Sequence, residues 1–212
     1  MEIEETTIQK CVDIIEDRVL GVQNDLKAFL YIRQHNLQHK GTNDNIGGGN
    51  IVVALSLFTC LNFLGKTYYC TVRPDKFDLT GRAKNETETF VQFMKFIQQS
   101  DINLGLPSNG EVLELVWSGF RDYLAHRLTV EPGKSVLTFS FEPGHQGSIG
   151  DTLKKAKKHQ VFEHDGSNRN WIVNGDALFA RLPDIVAKTV LHIKKNENTD
   201  HNLLFKVIGI ER

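Results

Sequence analysis

Cysteine is scarce in this sequence, and its placement excludes two kinds of site. Three cysteines occur among 212 residues, all in the first third and none in a Cys-x-x-Cys pair: Cys11, Cys60 and Cys70. An odd number of thiols in apolar surroundings does not make a disulfide framework. We therefore expect reduced cysteines in a core, and neither redox chemistry nor a zinc site built from thiolates.

An excess of positive charge is also missing. Lysine and arginine together number 25, and aspartate and glutamate 26, so the formal net charge is -1. A chain with this balance has no overall field that would attract nucleic acid or an anionic membrane. Contact with such a partner must come from a local patch of basic residues.

The first residues lack the features of an export signal. They read Met-Glu-Ile-Glu-Glu, whereas a signal peptide begins with basic residues and continues into an apolar run. The most apolar segment, residues 51–64, is shorter than the roughly 20 residues that a membrane-spanning helix needs. The sequence thus predicts a cytoplasmic protein with no membrane partner.

The first part of the chain shows the period of amphipathic helices. Apolar residues recur at helical spacing over three segments: residues 7–37, 86–99 and 111–128. Between the first two, residues 51–64 are apolar on nearly every side, and Asn50 stands where an N-cap belongs. This segment is predicted to be the buried central helix of a bundle.

In the last third of the chain the period changes from 3.6 to 2, which indicates strands. Leu137, Phe139 and Phe141 alternate with polar residues, as in a half-buried strand. Residues 161–164 and 171–173 flank a turn-rich segment. They predict an antiparallel hairpin with a longer turn.

One more helix and one more strand are expected before the end of the sequence. Asn174 can cap a helix over residues 177–195, and Pro183 should kink this helix or split it in two. The apolar run over residues 203–210 predicts a final strand.

Together these patterns predict an α+β fold that is mainly α. A helical bundle is expected over residues 1–130, and a small antiparallel β-sheet with a further helix over residues 131–212. Because no linker-like stretch separates the two parts, we expect them to pack together as one cooperative unit.

The residues best suited to chemistry lie on the fourth predicted helix. Its core stripe consists of Leu113, Val116, Trp117, Phe120 and Leu124. The direction of each side chain around the helix can be measured from Leu113, with about 100° per residue. Arg121 then lies at about 80°, Asp122 at about 180° and His126 at about 220°. A guanidinium matches phosphate bidentately, and an imidazole exchanges protons near neutral pH. Asp122 can fix the tautomer of His126, because the two residues are four apart.

The segment from Arg121 to His126 resembles the signature of the HEPN superfamily, an arginine followed by a polar residue and, after a short spacer, a histidine. The resemblance covers the helical part of the chain. It implies a HEPN-like bundle and a metal-independent endoribonuclease of the toxin or antiphage-defence type. It also implies that Arg121, Asp122 and His126 are catalytic, in an active site that forms where two motif helices meet in a dimer.

A second interpretation of the same residues is structural. An arginine and a histidine near a helix end can pack, bond to backbone carbonyls or pair with an acid. The chain would then be a non-catalytic helical interaction module, an accessory or partner-binding protein that keeps the fold without the activity. A nuclease needs both motifs convergent across a two-fold interface, whereas a module can bury Arg121 and His126 in separate contacts.

The local basic patch that RNA binding requires is present in one segment. Lys154, Lys155, Lys157 and Lys158 form the densest basic run of the chain. Beside a nucleic-acid active site such a run holds phosphates, and elsewhere it is a solvated surface.

Neither a metal nor a cofactor is expected, because the histidines show no paired ligand spacing on a predicted helix. The expected partners are an RNA substrate and a second copy of the chain. The resemblance adds an antitoxin or a defence partner.

The first prediction concerns assembly. The face of the fourth helix that carries Arg121 and His126 is polar but rich in small residues, which permits close approach of another helix. We expect a two-fold homodimer in which motif helices pack against each other. Sedimentation at micromolar concentration measures this, and a monomer would contradict the prediction.

Overall fold

The computed structural model describes residues 2–40, 49–106, 110–118, 137–140, 154–165, 170–196 and 199–210. Six α-helices lie in these ranges: α1 (Glu2–Lys40), α2 (Gly49–Val72), α3 (Glu86–Gln99), α4 (Gly110–Ser118), α5 (Gly175–Lys195) and α6 (His201–Val207). A 3-10 turn covers Pro74–Lys76, and three strands are present: β1 (Leu137–Ser140), β2 (Phe162–Asp165) and β3 (Asn170–Asn174). The predicted α+β, mainly α fold class is confirmed.

The chain forms two compact units, each built from separate stretches of sequence. Unit 1 contains Met1–Gly21, Thr59–Ile102 and Pro183–Arg212, and unit 2 contains Val22–Phe58 and Asn103–Leu182. The predicted domain boundary near residue 130 lies outside the described residues, so that boundary stays a prediction.

Unit 1 is a helical unit with a continuous apolar core. Helices α1, α2, α3 and α5 each bury a row of side chains at helical spacing, including Cys11, Val12, Ile15 and Val19 on α1, Leu61 and Leu64 on α2, Phe90, Phe93 and Ile97 on α3, and Ile185 and Ile193 on α5. Gly65 on α2 lies against Phe93 of α3, where a Cβ would be in ordinary van der Waals contact at 3.4 Å from the ring. This stripe of burial is the amphipathic pattern that predicted the helices.

Polar contacts join α1 and α3 to α2 in unit 1. Arg18 of α1 donates to the carbonyl of Ile208, and its guanidinium lies 5.7 Å from the centroid of the Phe63 ring. Lys66 pairs with Glu86 at 2.7 Å, at the start of α3. The single charge within α2 is thereby neutralised beside the helix rather than buried alone.

Unit 2 contains a three-stranded sheet in the order β1-β3-β2. Strands β2 and β3 form the predicted antiparallel hairpin, with Phe162 opposite Val173. The prediction of a purely antiparallel sheet is wrong for β1, which pairs with β3 in parallel. Alternation of apolar residues shows that a segment is a strand but carries no information about the direction of its partner.

Helix α5 begins as predicted but is not split. The Oδ1 atom of Asn174 accepts a hydrogen bond from the Ala177 N–H at 3.1 Å, which confirms the N-cap. Pro183 lies inside a helix that runs on to Lys195, so of the two predicted effects of this proline, a kink or a split, the split is wrong.

The last predicted strand is also wrong, because the segment is the helix α6. Asp200 caps it by accepting from the N–H groups of Asn202 and Leu203. Leu203, Leu204 and Phe205 are all buried. A short run that is buried on consecutive positions fits either a strand or a helix, and the cap decides in favour of the helix.

Helix α2 is longer than predicted and starts two residues earlier. It extends to Val72 rather than to Leu64, and Asn50 lies within it instead of preceding it as the N-cap. Among the helices that the described ranges contain, none combines the length and apolarity needed to cross a bilayer.

Two leucines of α2 test its burial. Leu57 and Leu61 have no exposed surface, so Leu57→Ala or Leu61→Ala should lower the free energy of unfolding by about 2 to 5 kcal/mol. Thr59→Ala, at an exposed position of the same helix, is the matched control and should change it by less than about 0.5 kcal/mol. Chemical denaturation measures these values. Losses below about 1 kcal/mol at both leucines would show that the helix is peripheral.

Candidate functional site

The three residues of the predicted catalytic motif, Arg121, Asp122 and His126, lie outside the described residues. The structure does describe the part of α4 that precedes them. Its buried side chains include Leu113, Val116 and Trp117, which are the first three members of the predicted core stripe. The orientation from which the angles of the motif residues were derived is therefore confirmed up to Ser118.

The four predicted RNA-binding lysines lie together at the end of a helical stretch, in which residues 154–156 are helical and residues 157–158 form the turn that follows. We call residues 154–158 the lysine turn. Its backbone closes through hydrogen bonds from the N–H of Lys158 to the carbonyl of Lys155 and from the N–H of His159 to that of Ala156, both 3.0 Å long. Ala156 is only 5% exposed, whereas the four lysines around it are all exposed. The turn thus anchors its one apolar residue and directs its charge to solvent.

The charge of three of these lysines is available to an anion. Among the described residues, no carboxylate forms an ion pair with Lys154, Lys155 or Lys158. Ammonium groups this close together in sequence can contact phosphates as point charges, without selecting a base sequence.

Arg181, which no sequence pattern indicated, is joined to the lysine turn. Its Nη2 donates to the carbonyl of Lys157 at 2.8 Å, across 24 residues of sequence. No local pattern signals this contact, since a backbone carbonyl has no residue identity. The only available signal was an arginine among the apolar residues that begin α5.

A second cluster of polar and aromatic side chains lies in unit 1, where His192 meets α2 and α3. Its ring centroid is 4.8 Å from that of Tyr68 and 5.2 Å from that of Phe96. Tyr68 and Phe96 stack on each other at 4.2 Å. His192 is half-buried by these rings. No sequence pattern indicated a role for it.

The hydrogen bonds of Thr71 fix the tautomer of His192. The Thr71 hydroxyl donates its single hydrogen to the carbonyl of Tyr68 at 2.7 Å. It must therefore accept from Nε2 of the neutral His192 ring, which lies 3.2 Å away. The proton-accepting atom of the ring is then Nδ1. Burial lowers the pKa of His192 below its usual range, because the charged imidazolium loses hydration there.

The cysteines are unsuited to catalysis. All three are buried and reduced, as predicted. Burial raises the pKa of Cys60 to about 11 and that of Cys70 further still, so both remain neutral thiols at physiological pH. Across the part of the chain that the structure describes, no group of three histidine, cysteine or acidic side chains is arranged to hold a metal ion.

An open groove of about 420 Å³ in unit 1 contains none of the predicted site residues. It is lined by Thr7, Lys10, Asp13, Ile14, Phe205 and Ile210.

No protein-family model, no curated protein and no solved structure matches this chain. The relationship to the HEPN superfamily stays a prediction from the motif.

The half-buried His192 should make the protein less stable in acid. Because folding lowers the pKa of His192, the unfolded chain binds the proton more readily than the folded chain, and the free energy of unfolding rises with pH. The stability that a neutral His192 contributes is present above about pH 6.5 and is lost as pH falls towards the lowered pKa. The free energy of unfolding, measured by chemical denaturation between pH 7 and pH 5, should fall less in His192→Gln than in the unchanged protein.

Thr71→Val is the control for this prediction. It removes the hydrogen-bond partner of His192 but leaves the aromatic rings that bury it. The free energy of unfolding should therefore still fall in acid, while its value is shifted at every pH. Parallel curves for the unchanged protein and His192→Gln would contradict the assignment of the acid loss to His192.

Proposed function

We propose that this protein is a cytoplasmic, metal-independent endoribonuclease that cleaves RNA by attack of the substrate's own 2′-hydroxyl. As in toxins and antiphage-defence nucleases of the HEPN type, the active site would form where the motif helices of two copies meet. Arg121, Asp122 and His126 supply the chemistry, and the lysine turn holds the substrate.

The observation that carries the proposal is the burial pattern of α4. Leu113, Val116 and Trp117 face a core, as the helical period required. The same period assigns Arg121 and His126 to directions away from that stripe. Residues that are not used for packing are free for a substrate or a second motif helix.

The lysine turn supports the same function. It belongs to the same compact unit as α4, and its lysines are exposed on a turn that is fixed by Ala156. Contacts to the phosphate backbone supply much of the affinity of nucleic-acid binding proteins. The buried, reduced cysteines fit the reducing conditions of the cytoplasm.

The proposed roles follow from the chemistry of each side chain. His126 takes the proton from the 2′-hydroxyl or donates one to the leaving oxygen, since imidazole titrates near neutral pH. Arg121 stabilises the additional negative charge on the phosphorus in the transition state with its planar fork. Asp122 orients the imidazole of His126. Each of these functions is supplied by the chain itself.

Substitution of the motif residues tests the proposal. His126→Ala should lower the rate of RNA cleavage by about 10² to 10⁴-fold, which is the usual contribution of a general acid or base. Arg121→Lys should also lower the rate of RNA cleavage, because an ammonium cannot reproduce bidentate contact with phosphate. His201→Ala and Arg82→Lys, outside the proposed site, are the matched controls and should retain activity. Undiminished cleavage in His126→Ala would overturn the catalytic assignment.

The products distinguish this chemistry from hydrolysis by an activated water. Attack by the 2′-hydroxyl leaves 2′,3′-cyclic phosphates, and single-stranded DNA should not be cut because it lacks the attacking group. A chelator should leave the rate unchanged. Mass spectrometry of the cleaved oligonucleotides identifies the termini, and 3′-hydroxyl ends would contradict the mechanism.

The non-catalytic interaction module is the second candidate, and the loop after the 3-10 turn favours it. Leu79 is 88% exposed, although its loop is held firmly: Asp78 accepts from Thr80 and Arg82, and Lys206 donates to the Leu79 carbonyl at 2.8 Å. Gly81 has φ +82°, and a Cβ there would lie 2.8 Å from the backbone of Lys206. An exposed leucine on a fixed backbone offers a partner protein apolar area without the cost of ordering the loop. This function replaces the first if the purified, folded dimer leaves both structured and unstructured RNA intact.

A further inference from the structure

The lysine turn is tied to α5 by one guanidinium. Arg181 donates from Nη2 to the Lys157 carbonyl at 2.8 Å and from Nη1 to the Ala177 carbonyl, one turn earlier in its own helix, at 3.4 Å. The guanidinium therefore bridges the backbone of a long helix and the backbone of the turn. Side chains that hold two backbone carbonyls in this way restrict the turn without using its lysines.

The segment that follows the lysine turn is fixed as well. The N–H of Phe162 donates to the carbonyl of Leu104 at 2.9 Å, and the N–H of Asn174 donates to that of Val161 at 2.7 Å. Gly105 packs against this segment so closely that a Cβ would lie 2.5 Å from the Phe162 carbonyl oxygen. The turn is thus held at Ala156, at Lys157 and just beyond His159, and it cannot rotate as a free loop.

We propose that Arg181 is a positioning residue for RNA, which keeps the lysine turn in a preformed arrangement so that its ammonium groups meet successive phosphates of a single strand. The inference rests on the proposed function, since it assigns RNA as the ligand of the turn. A preformed arrangement raises affinity because the turn and its lysines lose less conformational freedom on binding. Arg181 acts through the backbone of the turn and need not touch the RNA.

Arginine is required for this role by geometry rather than by charge. Its planar group presents separate N–H donors, and two of them reach two different carbonyls. Lysine carries the same charge on a single nitrogen and cannot preserve both hydrogen bonds at these positions. Arg181→Lys therefore separates positioning from electrostatics.

The test is RNA binding in a His126→Ala background, which the proposed function predicts to bind without cutting. Fluorescence anisotropy with a labelled single-stranded oligoribonucleotide measures the affinity. Adding Arg181→Lys should weaken binding by about three- to tenfold, which corresponds to one net hydrogen bond. Adding Arg82→Lys, at an exposed arginine, should leave the affinity unchanged.

The salt dependence of binding separates positioning from general loss of structure. For single strands, the slope of log affinity against log salt concentration decreases in magnitude by about 0.7 for each phosphate that the protein no longer neutralises. Lys155→Ala should lower the slope by about this amount, whereas Lys194→Ala, an exposed lysine on α5, should not. Arg181→Lys should lower the slope although the charge is kept, with an unchanged melting temperature, because misplaced lysines neutralise fewer phosphates.

Hydrogen exchange provides a measurement that does not depend on the Arg181 variant folding. The amides of Lys158 and His159 close the turn, so they should exchange slowly in the His126→Ala protein before RNA is added. Fast exchange that slows only on addition of RNA would overturn the preformed arrangement.

The remaining outcomes distinguish this inference from the proposed function. If Arg181→Lys binds as tightly as its background while Lys155→Ala binds more weakly, the positioning role is overturned and the turn remains the RNA contact. If no lysine substitution alters binding, the turn does not contact RNA and the positioning role is overturned, and the cleavage assay decides the function separately. If the background protein does not bind RNA and the unchanged protein does not cut it, both proposals fail.

Discussion

Helix α2 has to be buried, and the packing of unit 1 follows from this requirement. Its 24 residues include one charged side chain, Lys66, so exposed α2 would leave a large apolar surface in water. Contacts from α1, α3 and α5 cover it in unit 1, through Arg18 against Phe63, Phe93 against Gly65 and His192 against Tyr68. Glu86 at the start of α3 pairs with Lys66. Charged side chains of the surrounding helices thus lie where they contact the apolar helix α2.

Unit 2 combines a small sheet with a concentration of positive charge. Ala156, Val161 and Phe162 are buried, while the lysines beside them are exposed. The apolar anchor stabilises the turn, and the backbone contacts of Arg181 and Gly105 restrict it further. A charged surface on a restricted backbone suits recognition of a repeating anion, because charges whose positions are set in advance need little reordering on binding.

Local sequence information was enough to predict helices whose amphipathic pattern continues over many residues. The stripes of α1 and α3 were predicted because burial on one face recurs every 3.6 residues, and Asn174 was predicted as a cap because its side chain bonds within its own turn. The buried residues of α4 agree with the stripe from which the directions of Arg121 and His126 were derived. Arg121, Asp122 and His126 themselves lie outside the described residues, so their directions on the helix stay predictions.

The sequence alone determined which segments are helical or extended when their period was clear, and the reduced state of the cysteines. Only the tertiary structure decided that β1 pairs in parallel with β3, that residues 201–207 form a helix, and that α5 continues through Pro183. It also decided that Arg181 holds the carbonyl of Lys157. Periodicity and capping act over a few neighbouring residues. The choice of a strand partner or a carbonyl acceptor depends on distant residues, because burial and hydrogen-bond satisfaction are decided when they meet in the folded chain.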